Sequence, residues 1–246
     1  AVKAAVFPMS GWLPDSYPTA PAPVTAVFAG LLTKVGVYAI VRTQFLLFPD
    51  SPLHNLIMIA GLLTMLVGIL GAVAQPGIKR MLSFTLVSHI GYMLFGIGVA
   101  SELGLSSAIF YIAHHITVQT ALFLISGLIE RVGGSTVIDR LGGLAATSPV
   151  LAILFFVPAM NLAGIPPFSG FVGKVGLLQA GAADGSAVAW TLVVGSVVTS
   201  LLTLYAVAKT WSYAFWRPRA EEGSEHTVEM PMLTPSFGRL SDAIGA

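Results

Sequence analysis

The sequence predicts an all-α, polytopic membrane protein that contains broken helices, and three observations support this fold class. Hydrophobic residues make up 55% of the chain and charged residues only 9%, whereas soluble domains have about 25% charged residues. The apolar residues form runs long enough to cross a bilayer, which needs roughly 20 residues. One of these runs, over residues 148–181, is interrupted by glycine and proline in its middle.

Composition also excludes several classes of function. The net charge of +1 and the lack of a basic run argue against a nucleic-acid partner. The chain has no cysteine, which excludes disulfides, thiolate metal sites and cysteine catalysis. No metal site, cofactor site or catalytic residue is expected. The chain opens with Ala1, Val2 and Lys3, without a signal-peptide pattern, and we expect it to be the C-terminal portion of a longer polytopic protein.

Residues 1–216 are predicted to form a transmembrane region of about seven segments, the first of them short. The predicted segments are residues 1–12, 24–48, 53–74, 81–100, 103–129, 148–181 and 186–215. The prolines between residues 8 and 23 argue against regular helix there. Residues 217–246 are polar and are predicted to form a loop or a disordered tail.

The interrupted segment is predicted to fold as two half-helices. Its interruption contains Gly164, Pro166, Pro167 and Gly170. Because proline donates no N–H and clashes with a continuing helix, the helix should stop and restart here. Irregular backbone at membrane depth must be buried in protein or line a wet cavity.

Lysine and histidine side chains at membrane depth predict a proton relay. They are Lys3, Lys34, His89, His114, His115 and Lys174. Burial disfavours the charged form of a lysine, and histidine exchanges protons near neutral pH. A cation cage would need carboxylates and carbonyls, and no Asp or Glu lies at the centre of a predicted span. A relay bridged by water therefore fits these residue types better.

Each lysine also has a structural interpretation. Lys34 could extend its amine to an interface, although about ten apolar residues separate it from the preceding loop. Lys3 is either a relay member or a flanking lysine. It precedes its own break at Pro8, whereas Lys174 follows a break, and this opposite order suggests an inverted internal repeat.

The histidines also have alternative interpretations. His89 lies in a stripe at helical spacing, which either relays protons or joins helices by hydrogen bonds. The other members of this stripe are Thr85, Ser88 and Tyr92. His114 and His115 are adjacent and therefore point about 100° apart. We expect only one of them to face the relay, with Thr117 and Gln119 as supporting polar groups.

The distribution of basic residues predicts the orientation in the membrane. One set of alternate loops contains Lys79, Arg80, Arg131, Arg140, Arg217 and Arg219. The opposite loops contain Arg42 beside Asp50, Glu102 and Asp184. The first set is predicted to face the cytoplasm.

Three stretches carry a family resemblance, namely residues 1–42, SFTLVSHIGYMLFGIG and LAGIPPFSGFVGK. They resemble the antiporter-like, proton-channel subunits of respiratory complex I and of Mrp-type cation/proton antiporters, over about Ala1 to Trp216. The stretch HHITVQTALFLISG resembles the D-type branch of the Mrp family. The resemblance implies a fourteen-helix, inverted-repeat fold with broken helices, of which this chain would be roughly the second half.

The resemblance also implies roles for individual residues. Lys3 matches the lysine before the first broken helix, Lys34 the lysine that passes protons toward the centre, and Lys174 the terminal lysine of the second broken helix. His89 matches the histidine of the SH-x-GY motif. Gln119 departs from the family, because a lysine is common there. The polar end of the chain, residues 228–246, also departs from it, because a final apolar helix is expected.

The expected function is that of a proton-translocating membrane component of a multisubunit Na⁺/H⁺ antiporter, rather than of an enzyme. The alternative is a proton-pumping, non-catalytic membrane arm of NADH:quinone oxidoreductase or of a related membrane hydrogenase. A structural scaffold is disfavoured, because central lysines would destabilise it without benefit. The expected partners are other membrane subunits, the lipid bilayer, protons and Na⁺, and the expected location is the cell membrane.

Overall fold

The computed structural model describes residues 1–48 and 53–218. The predicted tail, apart from Arg217 and Pro218, lies outside the described residues, as do Asp50 and Arg219. The helices are α1 (Trp12–Ser16), α2 (Ala22–Val27), α3 (Thr33–Arg42), α4 (His54–Val73), α5 (Ile78–Gly98), α6 (Glu102–Gly133), α7 (Leu144–Thr147), α8 (Pro149–Ala163), α9 (Ser169–Asp184) and α10 (Ala187–Trp211).

Five helical stretches in the described part of the chain are long and apolar enough to cross a membrane. They are Ala22–Leu47, His54–Val73, Ile78–Gly98, Glu102–Gly133 and Ala187–Trp216. The first stretch joins α2 to α3 through a π-helical turn, Phe28–Leu32. The two halves of the predicted broken segment are α8 and α9, so the predicted break is observed where glycine and proline interrupt the sequence.

The structure differs from the sequence prediction near the start of the chain. Residues 1–11 form turns rather than a helix, and Ala5 has a positive φ of 53°, a conformation that does not continue a right-handed helix. The proline-rich stretch that follows nevertheless contains α1. Pro14 is the third residue of α1, where the backbone N–H has no partner within the helix and none is lost.

Helix α5 lies at the centre of the bundle. Nearly all of its residues are buried, and α4, α6, α9 and α10 pack around it. Small residues let α4 approach closely, because a Cβ atom on Gly68 would overlap the backbone of Ser88, and one on Gly91 would overlap α4. Such small-residue contacts are typical of helix pairs in membranes. The outward faces of α4, α6 and α10 expose large apolar side chains.

The basic loops meet at one end of the bundle. Ile78 N donates to Thr136 O at 2.9 Å, and Gly143 N donates to Arg217 O at 2.7 Å. Lys79 Nζ and Glu130 Oε2 form an ion pair at 2.6 Å at the same end. The predicted clustering of basic residues is therefore observed for the described residues. The cytoplasmic orientation of this end stays a prediction.

Candidate functional site: a buried lysine–histidine cluster

Six titratable side chains from four helices form the core of the candidate site. This lysine–histidine cluster consists of Lys34, His89, Tyr111, His114, His115 and Lys174, each at most 6% exposed. They project from α3, α5, α6 and α9 toward the interior of the bundle. A buried ionisable group at membrane depth is by default a candidate functional group.

Lys174 lies against the end of α8. Its Nζ donates to Ala163 O at 2.8 Å and to Leu162 O at 3.2 Å, which are terminal carbonyls with no partner inside the helix. The same helix end has the negative partial charge of the helix dipole. Gly164 ends α8 with a φ of +87°, and a Cβ atom there would lie 2.8 Å from Lys174 Cδ. Glycine at this position therefore lets the lysine side chain reach the carbonyls.

The break between α8 and α9 is closed by side chains. Asn161 Oδ1 accepts from Gly170 N at 2.9 Å and from Ser169 Oγ at 3.3 Å. Ser169 Oγ also lies 3.0 Å from His114 Nδ1. The start of α9 is thus hydrogen-bonded to α8 and to α6, as expected for irregular backbone that is buried in protein.

Tyr111 connects the histidines. Its hydroxyl lies 2.7 Å from His89 Nδ1, and its ring centroid lies 5.4 Å from that of His114 and 6.4 Å from that of His115. The rings of His89 and His115 are 5.2 Å apart. His114 and His115 do diverge, the first toward Ser169 and the second toward His89. Both rings lie beside Tyr111, so the expectation that only one of them faces the relay stays a prediction.

Lys34 lies at the other side of the cluster. Its Nζ donates to Ala29 O at 2.5 Å, within the π-helical turn that precedes α3, and such turns are frequent at functional sites. The ammonium of Lys34 is close enough to His89 and His115 to interact with both electrostatically. Lys174 interacts in the same way with the three histidines.

Several polar atoms of the cluster have no hydrogen-bond partner among the described residues. They are Nε2 of His89 and of His114, both ring nitrogens of His115, and Oε1 of the neighbouring Gln119. Buried polar atoms are seldom left in this state. Gln119 Nε2 donates to Leu82 O at 2.7 Å, so its amide oxygen is the free acceptor one turn from His115.

Other predicted site residues lie apart from the cluster. Lys3 and Pro8 are exposed in the turns that precede α1, and Thr117 is exposed on α6. Thr117 Oγ1 donates to Ala113 O of its own helix. Ser88 Oγ donates to Met65 O of α4 at 2.9 Å. Ser88 therefore joins two helices by a hydrogen bond. This is the structural interpretation considered above for the polar stripe around His89.

Tyr92 and Thr85, from the same stripe, differ in their environment. The ring of Tyr92 faces Lys174 Nζ at 5.1 Å, whereas Thr85 Oγ1 donates to Leu82 O within α5. Tyr111 and Asn161 were not predicted from the sequence. Tyr111 lies one helical turn before His114 and His115, and this spacing is a signal that could have identified it. Nothing in the local sequence identifies Asn161.

Among the described residues, the site contains no carboxylate. The five acidic residues in this part of the chain lie at helix ends or in loops; they are Asp15, Glu102, Glu130, Asp139 and Asp184. Within residues 1–48 and 53–218, no group of three or more histidine, cysteine or acidic residues is arranged to hold a metal ion. The titratable groups of the cluster are amines, imidazoles and a phenol hydroxyl.

Comparisons with known proteins give consistent results. A family model described as "NADH:quinone oxidoreductase/Mrp antiporter, TM" matches residues 1–203. The chain is 46% identical over 218 residues to the D-type subunit of the Na⁺/H⁺ antiporter of Alkalihalophilus pseudofirmus, covering 88% of this chain and 44% of that protein. It is 36% identical over 238 residues to the D-type Na⁺/H⁺ antiporter subunit of Bacillus subtilis, covering 96% and 48%.

Two solved structures share the fold. The Mrp complex from Dietzia sp. DQ12-45-1b matches with a TM-score of 0.84 and 43% identity, covering 89% of this chain and 41% of that chain. The membrane-bound sulfane sulfur reductase, an archaeal respiratory membrane complex, matches with a TM-score of 0.82 and 25% identity, covering 91% and 47%. The chain spans about half the length of the relatives it matches.

Proposed function

The chain belongs to the NADH:quinone oxidoreductase/Mrp antiporter transmembrane family, and from this premise we propose that it translocates protons as part of the D-type subunit of a multisubunit Na⁺/H⁺ antiporter. It is a multi-pass membrane protein of the cell membrane with the antiporter-like fold. The proposed partners are the other membrane subunits of the complex, and the proposed transported ions are protons and Na⁺.

The observation that carries this proposal is the continuity of the lysine–histidine cluster. Ring contacts and hydrogen bonds join the side chains of the cluster on α5 and α6 in series, from His115 through His89, Tyr111 and His114 to Ser169. Lys34 and Lys174 interact with the histidines of this series electrostatically. Proton exchange requires direct hydrogen bonds or a single bridging water. The shortest links, at 2.7 Å between Tyr111 and His89 and at 3.0 Å between His114 and Ser169, are direct, and we propose a bridging water at the others.

The surroundings of Lys34 and Lys174 favour the release and uptake of protons over a permanently charged state. Both ammonium groups donate to backbone carbonyls. Neither is paired with a carboxylate of the described residues, so a proton can leave without breaking an ion pair there. The lysine–histidine cluster therefore has the chemistry of a relay with a lysine at each side.

A second candidate function has one specific observation in its favour. The fold is also that of one chain in an archaeal respiratory membrane complex. The same cluster would then move protons in a redox-driven assembly, such as NADH:quinone oxidoreductase or a membrane hydrogenase. A pull-down of the native complex separates the two candidates. Flavin and iron–sulfur absorbance together with NADH oxidation would favour the respiratory assembly, and small membrane subunits without them would favour the antiporter.

The relay is tested in the full-length protein within its complex. We expect Lys174→Ala and Lys34→Ala to abolish Na⁺-dependent proton movement in everted vesicles, measured with a pH-sensitive dye, while the complex still assembles. Lys→Arg at either position should also fail, because a guanidinium does not release its proton at physiological pH. Lys209→Ala is the matched control, since this lysine lies near the end of α10, away from the cluster. Unchanged transport in Lys174→Ala would contradict the proposal.

A further inference from the structure

The Lys174 ammonium is buried and, among the described residues, has no acidic partner. The charged and titratable groups that face it are the histidines of α5 and α6, and the groups of α8 that it contacts are backbone carbonyls. In the described part of the chain, every carboxylate lies at a helix end or in a loop. The face of an aromatic ring is another group that can stabilise a buried cation.

The ring of Tyr92 lies beside this ammonium. Lys174 Nζ lies 5.1 Å from the centroid of the Tyr92 ring, within the distance at which a ring face attracts a cation. The ring is 1% exposed, and this attraction is strongest where water is excluded. The ammonium is therefore enclosed by the terminal carbonyls of α8 and by the face of one aromatic ring.

The orientation of the ring is fixed from α10. The Tyr92 hydroxyl donates to Ser196 O at 2.5 Å and lies 2.8 Å from Ser200 Oγ. Both contacts are more than 100 residues away along the chain, so they anchor the ring to a separate helix. The hydroxyl of Tyr92 thus bonds to α10, while its ring face meets Lys174.

We propose that Tyr92 is a positioning residue that stabilises the protonated form of Lys174 through its ring face, and that its contacts with α10 hold the ring in place. This inference rests on the proposed function, since it assigns to Tyr92 the setting of the pH range over which Lys174 carries protons. Without the ring, the ammonium is less stable relative to the neutral amine. The loss of transport activity on the alkaline side of the pH profile should then begin at a lower pH.

The test is a pH profile of proton movement by the full-length protein in its complex. The alkaline limb is the part of the profile where the rate falls as the pH rises. We expect Tyr92→Leu to shift this limb to lower pH by about one unit. Tyr92→Phe keeps the ring face and should shift the limb less. Tyr205→Leu is the control, because Tyr205 is 55% exposed on the outer face of α10.

A graded series separates the ring's electrostatics from its shape and covers the case in which the leucine variant does not assemble. Phenylalanine analogues with one, two and three fluorine atoms at position 92 weaken the ring face with little change in volume. The alkaline limb should shift to lower pH as the number of fluorine atoms increases. An unchanged profile across the series, or a uniform loss of rate at every pH, would overturn the role of the ring.

The Lys174→Ala variant distinguishes failure of this inference from failure of the proposed function. If that variant is inactive while the fluorinated series leaves the pH profile unchanged, only the role of Tyr92 is wrong. If it transports protons normally, the relay itself is wrong, and the role of Tyr92 fails with it.

Discussion

Replacing Gly164 with alanine tests whether the end of α8 is shaped for the Lys174 side chain. Gly164 has a φ of +87°, and an L-residue in this left-handed region costs about 1–2 kcal/mol. The added Cβ atom would also lie 2.8 Å from Lys174 Cδ and 3.2 Å from its Nζ. Both distances are tighter than ordinary contacts, so the lysine has to move by several tenths of an ångström.

The structure supplies a matched control for the backbone strain. Gly185 ends α9 with a φ of +71°, and nothing lies within 4 Å of a Cβ atom built on it. Gly185→Ala should therefore lower stability by a similar amount, about 1–2 kcal/mol, without touching the relay. Thermal stability of the assembled complex, followed by size-exclusion chromatography after heating, measures this shared loss.

Only Gly164→Ala should impair transport. Movement of Lys174 first lengthens its hydrogen bond to Leu162 O, which is already 3.2 Å. A hydrogen bond to a charged group contributes about 1.5–3 kcal/mol, so its loss should slow proton movement about tenfold or more. Equal transport by the Gly164 and Gly185 variants would refute the idea that the carbonyl contacts of Lys174 matter.

Two further predictions concern the bundle around Lys174. Tyr111→Phe removes the hydroxyl that lies 2.7 Å from His89 Nδ1, and we expect proton movement to slow about tenfold or more while the complex assembles normally; a wild-type rate in vesicles would remove Tyr111 from the relay. Gly68→Ala places a Cβ atom against the backbone of Ser88, and forcing α4 from α5 should destabilise the protein by about 1–3 kcal/mol. The melting temperature of the complex checks this, with Gly77→Ala as a control because nothing lies near a Cβ atom there.

The sequence predicted the spans well because mean hydropathy depends on local composition. Apart from residues 1–11, which form turns rather than a helix, its errors lie at the helix ends, where charged residues stay helical. Helix α5 begins at Ile78 and α6 ends at Gly133, so both extend past the predicted limits to include Lys79 and Glu130. These two side chains pair at 2.6 Å across the helices, and a pairing between residues 51 positions apart leaves no trace in local hydropathy.

The candidate site was only partly predictable for a similar reason. Lys34 and Lys174 could be identified because a lysine in an apolar run is anomalous whatever its partners are. The direction in which a helix faces depends on its packing, which local spacing does not determine. Thr117 was therefore expected near the relay and lies on the exposed face of α6. Tyr111 was overlooked, although its hydroxyl reaches His89 on the neighbouring helix.

The break between α8 and α9 explains why the lysine and the prolines occur together. A break at membrane depth leaves carbonyls without partners at the end of the first half-helix and N–H groups without partners at the start of the second. Asn161 accepts from the N–H of Gly170 at the start of α9, and Lys174 donates to the last carbonyls of α8. Pro166 and Pro167 have no N–H to satisfy. A continuous helix would use these carbonyls internally and leave the ammonium without acceptors, so the broken backbone is a condition for holding this lysine in the interior.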